Sequence, residues 1–262
     1  MRKRFYILVA IGAFLVYSGL IEPNWIRTRT FDLAIEGLTE DVTVVHVSDI
    51  HTKRMGLREE SAIKAITRAD PDYVFVTGDL LKSKSKVGSA LDFLASVPSR
   101  HGVYAVPGNG DAALVKALTT GSVPKASGNW RVLLNENVDC GSFTLVGLED
   151  PVTCRDDAPR AFTGADLAKP IIVISHFYNQ ELLTYVEDEG ADLFLCGHTH
   201  GGQIGLIPLV GRIPYVHRAR YFAGLYTLDH MYLYVTRGVG TNLFPLRFFC
   251  RPEVVVFHLR GK

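Results

Sequence analysis

Residues 42–51 read VTVVHVSDIH: an apolar, β-branched run from Val42 to Val47 with the length of a buried strand, then Asp49 and His51 just past its end. The arrangement recurs. Residues 73–79 (YVFVTGD) finish on Gly78 and Asp79, residues 103–111 (VYAVPGNGD) on Gly108-Asn109-Gly110-Asp111, residues 171–176 (IIVISH) on His176, and residues 193–200 (LFLCGHTH) on Gly197, His198 and His200. Oxygen and nitrogen ligand types thus sit wherever an apolar run stops. Open α/β sheets gather ligands at the carboxyl ends of their strands, where loops converge from residues far apart in sequence. One Asp-x-His or Gly-Asp alone reads as a turn or a capped helix start; the five together read as a two-metal hydrolase site.

The segments in this order resemble the calcineurin-like metallophosphoesterases, whose pattern runs Asp-x-His, Gly-Asp, Gly-Asn-His-Asp/Glu, His and Gly-His-x-His. The resemblance extends from Val42 to His258. Gly-His-Thr-His-Gly-Gly-Gln at residues 197–203 and Arg251-Pro252-Glu253 are similar to a membrane-associated bacterial branch of that family. The resemblance implies an α/β (α+β) four-layer sandwich, two mixed β-sheets flanked by helices. It also implies that Asp49, His51, Asp79 and His200 hold one metal, with Asp79 bridging to a second held by Asn109, His176 and His198. Asn109 is additionally assigned a catalytic role, and no residue is assigned to substrate binding.

The residue types fit that chemistry on their own terms. Carboxylates, imidazoles and an amide oxygen suit manganese, iron or zinc, and no thiolate is placed to compete. Two divalent ions about 3.5 to 4 Å apart lower the pKa of a shared water and clamp the attacking and leaving oxygens of an in-line displacement. The expected reaction is hydrolysis of a phosphodiester or pyrophosphate by a metal-bound hydroxide.

Gly110 departs from the pattern. The family usually has a histidine here, thought to protonate the leaving group or steady the transition state, a contribution of about 10² to 10⁴ in rate. Three readings follow: a catalytically silent metal-binding protein, a substitute acid from His217, Asp111 or Arg218, or a leaving group that departs unprotonated, such as a phosphate or phenolate. The last points to a pyrophosphate linkage. Some relatives cleave the pyrophosphate of UDP-diacylglucosamine in lipid A synthesis, and certain of them also lack the histidine.

Arg2, Lys3 and Arg4 precede an uncharged run from Phe5 to Ile21, which at about 1.5 Å per residue barely reaches across a hydrocarbon core. Residues 1–25 are expected to be an uncleaved anchor, a cleaved signal or an interfacial segment, and residues 40–262 the metallophosphoesterase domain. The positive-inside rule keeps Arg2 to Arg4 in the cytoplasm and exports that domain. This conflicts with a cytosolic UDP-lipid substrate, unless the helix lies along the inner surface or the substrate is an external phospholipid, nucleotide or cell-wall diphosphate. A soluble exported nucleotide phosphodiesterase is a further alternative. The expected partners are a phosphorylated small molecule or lipid-linked substrate and the membrane.

With 47% hydrophobic residues and a net charge of +1, the chain has the composition of a globular enzyme and gives no reason to expect broad nucleic-acid binding, which generally needs a basic face. Lys82, Lys84 and Lys86 read as a solvated loop or a flap over anionic groups. Cys140, Cys154, Cys196 and Cys250 lack metal-type spacing; Cys196 reads as a buried hydrophobe, and a disulfide among the others remains open. Asn135 and Glu136 read as a turn between strands, Glu149 and Asp150 as caps, His46 as a core imidazole, and His101, His230 and His258 as outside the site. Gly197 is expected to turn the backbone so that His198 and His200, two apart in an extended chain, face one centre; the same holds for Asp49 and His51. Residues 204–210 read as a strand plus loop, or as an acyl-chain contact with Phe244, Phe248 and Phe249.

Overall fold

Within residues 42–47 the side chains divide between two interiors: Val45 and Val47 pack beneath helices, whereas Val44 faces a second sheet. A strand apolar on both faces needs a layer over each. The computed structural model, which describes residues 2–82, 86–205, 220–242 and 244–262, supplies those layers. Its strands are β1 (Arg27–Ile35), β2 (Val42–Val47), β3 (Tyr73–Thr77), β4 (Gly102–Val106), β5 (Ala126–Ser127), β6 (Trp130–Val132), β7 (Glu136–Asp139), β8 (Thr144–Gly147), β9 (Ile171–Ile174), β10 (Ala191–Cys196), β11 (Gly224–Leu228), β12 (Met231–Val235) and β13 (Glu253–Gly261). Seven form a sheet in the order β1-β13-β2-β3-β4-β6-β5, and six form a second in the order β11-β12-β10-β9-β8-β7.

Both sheets are mixed. In the first, β2, β3 and β4 are parallel, with Val45 opposite Val74 and Val74 opposite Val103, while β13 runs antiparallel to β2. In the second, β8, β9, β10 and β12 are parallel. Three apolar layers result. Val45, Val74 and Val76 meet Ile66, Phe93 and Leu114 of the helices Leu57–Ala69, Val87–Ser96 and Ala112–Thr119. Val44, Phe75 and Phe257 meet Ile172, Leu195 and Tyr234 between the sheets. Val173, Phe194 and Cys196 meet Leu182, Leu183 and Val186 of the helix Gln180–Asp188. The last helix starts where Asn179 accepts a 2.7 Å bond from the Leu182 N–H, a side-chain cap of the usual kind. The four-layer sandwich of helices, sheet, sheet and helices is the architecture expected from the sequence.

At the N-terminus the α-helix Arg2–Val16 continues through two further helical turns to Asn24, giving 23 residues long and apolar enough to cross a membrane. None of Arg2–Val16 is buried, but Ser18 and Glu22 are fully so where the segment meets the domain. Glu22 accepts from the N–H groups of Phe249 and Cys250, Ser18 O accepts from Arg247 N, and Arg251 lies 3.9 Å over the Trp25 ring. The N-terminal apolar segment and the domain are therefore in direct contact.

Arg247 holds the neighbouring loop. Its guanidinium is completely buried and donates to the carbonyls of Arg237, Gly238, Gly240 and Cys250. Arg247→Leu strands these carbonyls, so a loss of about 3 to 5 kcal/mol is expected in urea unfolding of the detergent-solubilised chain.

Candidate metal centre

The carboxyl ends of β2, β3 and β4 in one sheet and of β9 and β10 in the other point to the same place. There the structure brings together all seven side chains that the sequence singles out. Asp49 and His51 follow β2, Asp79 follows β3, Asn109 follows β4, His176 follows β9, and His198 and His200 follow β10. Asp49, His51, Asp79, His176 and His200 are buried.

Their atoms fall into two groups that share Asp79. In the first, His200 Nε2 lies 3.2 Å from Asp49 Oδ1 and 3.1 Å from His51 Nε2, and His51 Nε2 lies 3.4 Å from Asp79 Oδ2. In the second, His176 Nε2 lies 3.1 Å from both Asn109 Oδ1 and His198 Nδ1, and 3.6 Å from Asp79 Oδ1. His198 Nδ1 is 2.9 Å from Asn109 Oδ1.

The tautomers make this arrangement diagnostic. His51 Nδ1 faces the Leu81 carbonyl at 3.3 Å and His176 Nδ1 the Thr77 carbonyl at 2.9 Å; a carbonyl only accepts, so Nδ1 carries the proton in each. In the neutral ring of His51, Nε2 then offers a lone pair toward other acceptors, and in His176 it does so once the ring gives up its second proton. Asp49 Oδ1 is buried without a well-aligned hydrogen bond. Buried acceptors converging without donors fit divalent cations, and the hydrogen bonds behind the imidazoles are the outer support such ligands need.

Electrostatics agree with that reading. Burial pushes His51 and His198 down to about 3 and His200 well below its ordinary value, keeping these rings neutral. Burial also lowers His176, but the carboxylates of Asp79, Asp49 and Asp150 outweigh it and carry the ring up to about 9. Without a cation, His176 is the group that answers the local negative charge.

The local backbone departs from expectation. Asp49, His51, Asp79, His198 and His200 have φ of 52°, 47°, 49°, 70° and 52°, so neither Asp49-x-His51 nor His198-x-His200 is extended. The loops turn left-handed at each of these residues, which costs roughly 1 to 3 kcal/mol apiece and persists only where the surroundings enforce it. Bonds between loops enforce it: Asp49 N to Gly78 O, His51 N to Asp79 O, and Gly240 N to Asp49 O. Gly197 also acts differently than expected. Its φ is ordinary, and its service is space, since a Cβ there would collide with Ser48 Oγ and Asp49 Oδ2.

Asp111 is excluded as a substitute acid by its own bonds. Its carboxylate accepts from Gly108 N, Leu80 N and Leu81 N, tying the Asn109 loop to the Asp79 loop, although burial raises it to about 6. His217 and Arg218 lie outside the described residues, as do Ser83, Lys84, Ser85 and residues 206–210. Ile204 bridges to Phe248, and Lys82 bonds the carbonyls of Thr241 and Asn242. Glu136 pairs with Arg131, Asn135 bonds Glu149 and Arg155, and Asp150 caps a short turn through Thr153 N. His46 Nε2 bonds Thr77 Oγ1 inside the core. All four cysteines are unpaired, so none of the disulfides left open forms; Cys250 instead directs its thiol at the His200 carbonyl.

Comparison with known proteins agrees with this geometry. A family model described as calcineurin-like phosphoesterase matches residues 42–202. The chain is 30% identical to phosphodiesterase YaeI of Escherichia coli over 96% of this chain and 94% of that protein. It is 24% identical to UDP-2,3-diacylglucosamine pyrophosphatase LpxG of Chlamydia muridarum, covering 92% and 91% respectively. A crystal structure of TT1561 from Thermus thermophilus shares the fold, with a TM-score of 0.53 and 14% identity over 76% of this chain and 91% of that one.

Because His176 is protonated in the metal-free chain below about pH 9, a cation must displace that proton. Manganese binding near pH 7 is therefore expected to release at least one proton and to tighten about tenfold per pH unit up to that value. Calorimetry in buffers of different ionisation enthalpy measures the release, which His176→Gln removes.

Proposed function

The chain belongs to the calcineurin-like phosphoesterase family, and from that membership and its site we propose a membrane-anchored, dinuclear metal-dependent hydrolase of a phosphodiester or pyrophosphate carried on a lipid. The observation that carries this reading is the pair of acceptor groups sharing Asp79. Asp49, His51 and His200 are proposed to hold one ion, and Asn109, His176 and His198 the other, with Asp79 between. A bound pair of divalent ions supplies a nucleophile from water at neutral pH and neutralises charge on the phosphoryl oxygens.

The chain's own residues set the geometry. Gly110 N–H donates to Asp79 Oδ1 at 2.6 Å and orients the shared carboxylate. The Asp111 carboxylate fixes the loop that presents Asn109. Asn109, expected from the sequence to be catalytic, is best read as a positioning ligand with its amide oxygen turned toward His176 and His198.

Gly110 supplies no proton to a leaving group. With Asp111 fully engaged, the leaving group that suits this site is one stable as an anion, which favours a phosphoanhydride over an unactivated alkyl ester. The resemblance to a protein named as a UDP-2,3-diacylglucosamine pyrophosphatase supports the same choice. The apolar segment ending at Asn24, bonded directly to the domain through Glu22, supports a substrate met at a membrane surface. By the positive-inside rule, Arg2, Lys3 and Arg4 would export the domain if the segment crosses, so a UDP-lipid substrate goes with a segment lying along the inner surface.

Two substitutions test this reading. Asp79→Ala is expected to abolish manganese-dependent hydrolysis of bis-p-nitrophenyl phosphate, and retained turnover would reject the site. Gly110→His places a Cβ 3.0 Å from Asp79 Oδ1. It is expected to leave UDP-2,3-diacylglucosamine cleavage unimproved. Faster wild-type turnover of simple alkyl phosphodiesters than of the UDP-lipid would overturn the pyrophosphate assignment.

A further inference from the structure

Beside the candidate metal centre lies a cavity of about 210 Å³ that the chemistry above does not use. Its walls include Gly201, Phe222, Tyr226, Arg237, Phe249 and Cys250. A single water occupies about 30 Å³ of liquid, and a whole drug-sized ligand needs about 300 Å³ or more. The space therefore suits one part of a larger molecule, not a solvent molecule or an entire substrate.

Three contacts join this cavity to the loop that carries His198 and His200. The Arg237 stem packs so closely on Gly201 that a Cβ there would lie 2.7 Å from Arg237 Cγ. Thr199 Oγ1 donates to the Phe222 carbonyl at 2.8 Å, and Cys250 Sγ donates to the His200 carbonyl at 3.3 Å. Another part of the wall adjoins the N-terminal apolar segment. Phe249, 67% exposed, receives its backbone anchorage from Glu22 near the end of the apolar segment, and the adjoining Phe248 ring packs 4.9 Å from that of Phe14 within the helix. The cavity thus touches both the ligand loop and the residues bonded to the N-terminal apolar segment.

Its chemistry is two-sided. Arg237 uses Nη1 on Glu253, and among the described residues its other guanidinium donors meet no acceptor. A half-buried guanidinium with donors to spare recognises a phosphate or carboxylate through paired hydrogen bonds. Phe222, Tyr226 and Phe249 provide aromatic surface next to it.

We propose that this cavity is the subsite for the amphiphilic part of a membrane-borne phosphate substrate. Arg237 takes an anionic group other than the one being cleaved, and Phe222, Tyr226 and Phe249 cover the adjoining apolar carbons. The inference rests on the lipid-borne substrate proposed above. It adds the residues that select for such a molecule: the substrate must carry its charge and its first apolar carbons close together.

The test uses the full chain in nanodiscs of neutral phosphatidylcholine, freed of metal so that phosphate binding at the metal centre does not contribute. Dihexanoyl phosphatidate, glycerol 3-phosphate and dihexanoylglycerol are titrated by calorimetry, with empty nanodiscs subtracted. The phosphatidate is expected to bind at least about tenfold more tightly than either fragment, a difference of about 1.4 kcal/mol. Arg237→Gln and, separately, Phe222→Ala are expected to remove that advantage while manganese stoichiometry stays at the wild-type value; Phe222→Ala, which leaves the Arg237–Glu253 pair intact, also keeps the wild-type far-ultraviolet circular dichroism. Fragments that bind as well as the whole, or variants that bind it like wild type, overturn the subsite. Wild-type cleavage of UDP-2,3-diacylglucosamine in the same nanodiscs is scored separately. Its absence alongside selective phosphatidate binding rejects the lipid substrate and leaves the subsite standing.

Discussion

His51 Nε2 and His200 Nε2 face each other at 3.1 Å beside a carboxylate oxygen with no aligned donor, and much of the surrounding structure exists to keep them there. Acceptors gathered in a low-dielectric interior repel one another, so their convergence opposes folding until a cation or proton arrives. The two sheets answer this by concentrating backbone bonds at their carboxyl ends. Asp49 N, His51 N and Thr52 N each donate to the loop after β3, and Val239 N and Gly240 N donate back to Ser48 and Asp49.

The same constraint explains where strain is held. Among the described residues, ten other than glycine have positive φ, and five of them are Asp49, His51, Asp79, His198 and His200. Local propensity gives left-handed geometry at so many candidate ligands only modest support, since histidine and aspartate are enriched there but still adopt it in a minority of cases. Buried groups without ligand duty lock it from behind: Asp111 across three backbone amides, Arg247 across four carbonyls, and Glu253 across Tyr234, Thr236 and Arg237.

What the sequence revealed follows from the same physics. Apolar runs that end abruptly in ligand types locate strand ends well, because a strand buried on both faces has a composition of its own and the residue after it is set by chemistry. The sharing of Asp79 between two groups was reached only through family resemblance, as spacing does not reveal which loops face each other. Arg247 and Glu22 were invisible, being single charged residues in apolar or aromatic surroundings that gain meaning only from carbonyls and amides far away along the chain. The extended geometry expected for Asp49-x-His51 and His198-x-His200 was wrong for a related reason: side-chain periodicity holds within a strand and lapses in the loop beyond it.

One short link, Phe248 to Cys250, touches both ends of the molecule's working parts. It is hydrogen-bonded to Glu22 on one side and to Gln203 and His200 on the other. If the apolar segment holds the chain at a bilayer, as proposed above, such a link makes the enzyme sample a film, not a volume. Its encounter rate would then follow the mole fraction of substrate in that bilayer, and dilution with inert lipid would slow it as surely as dilution with water slows a soluble enzyme.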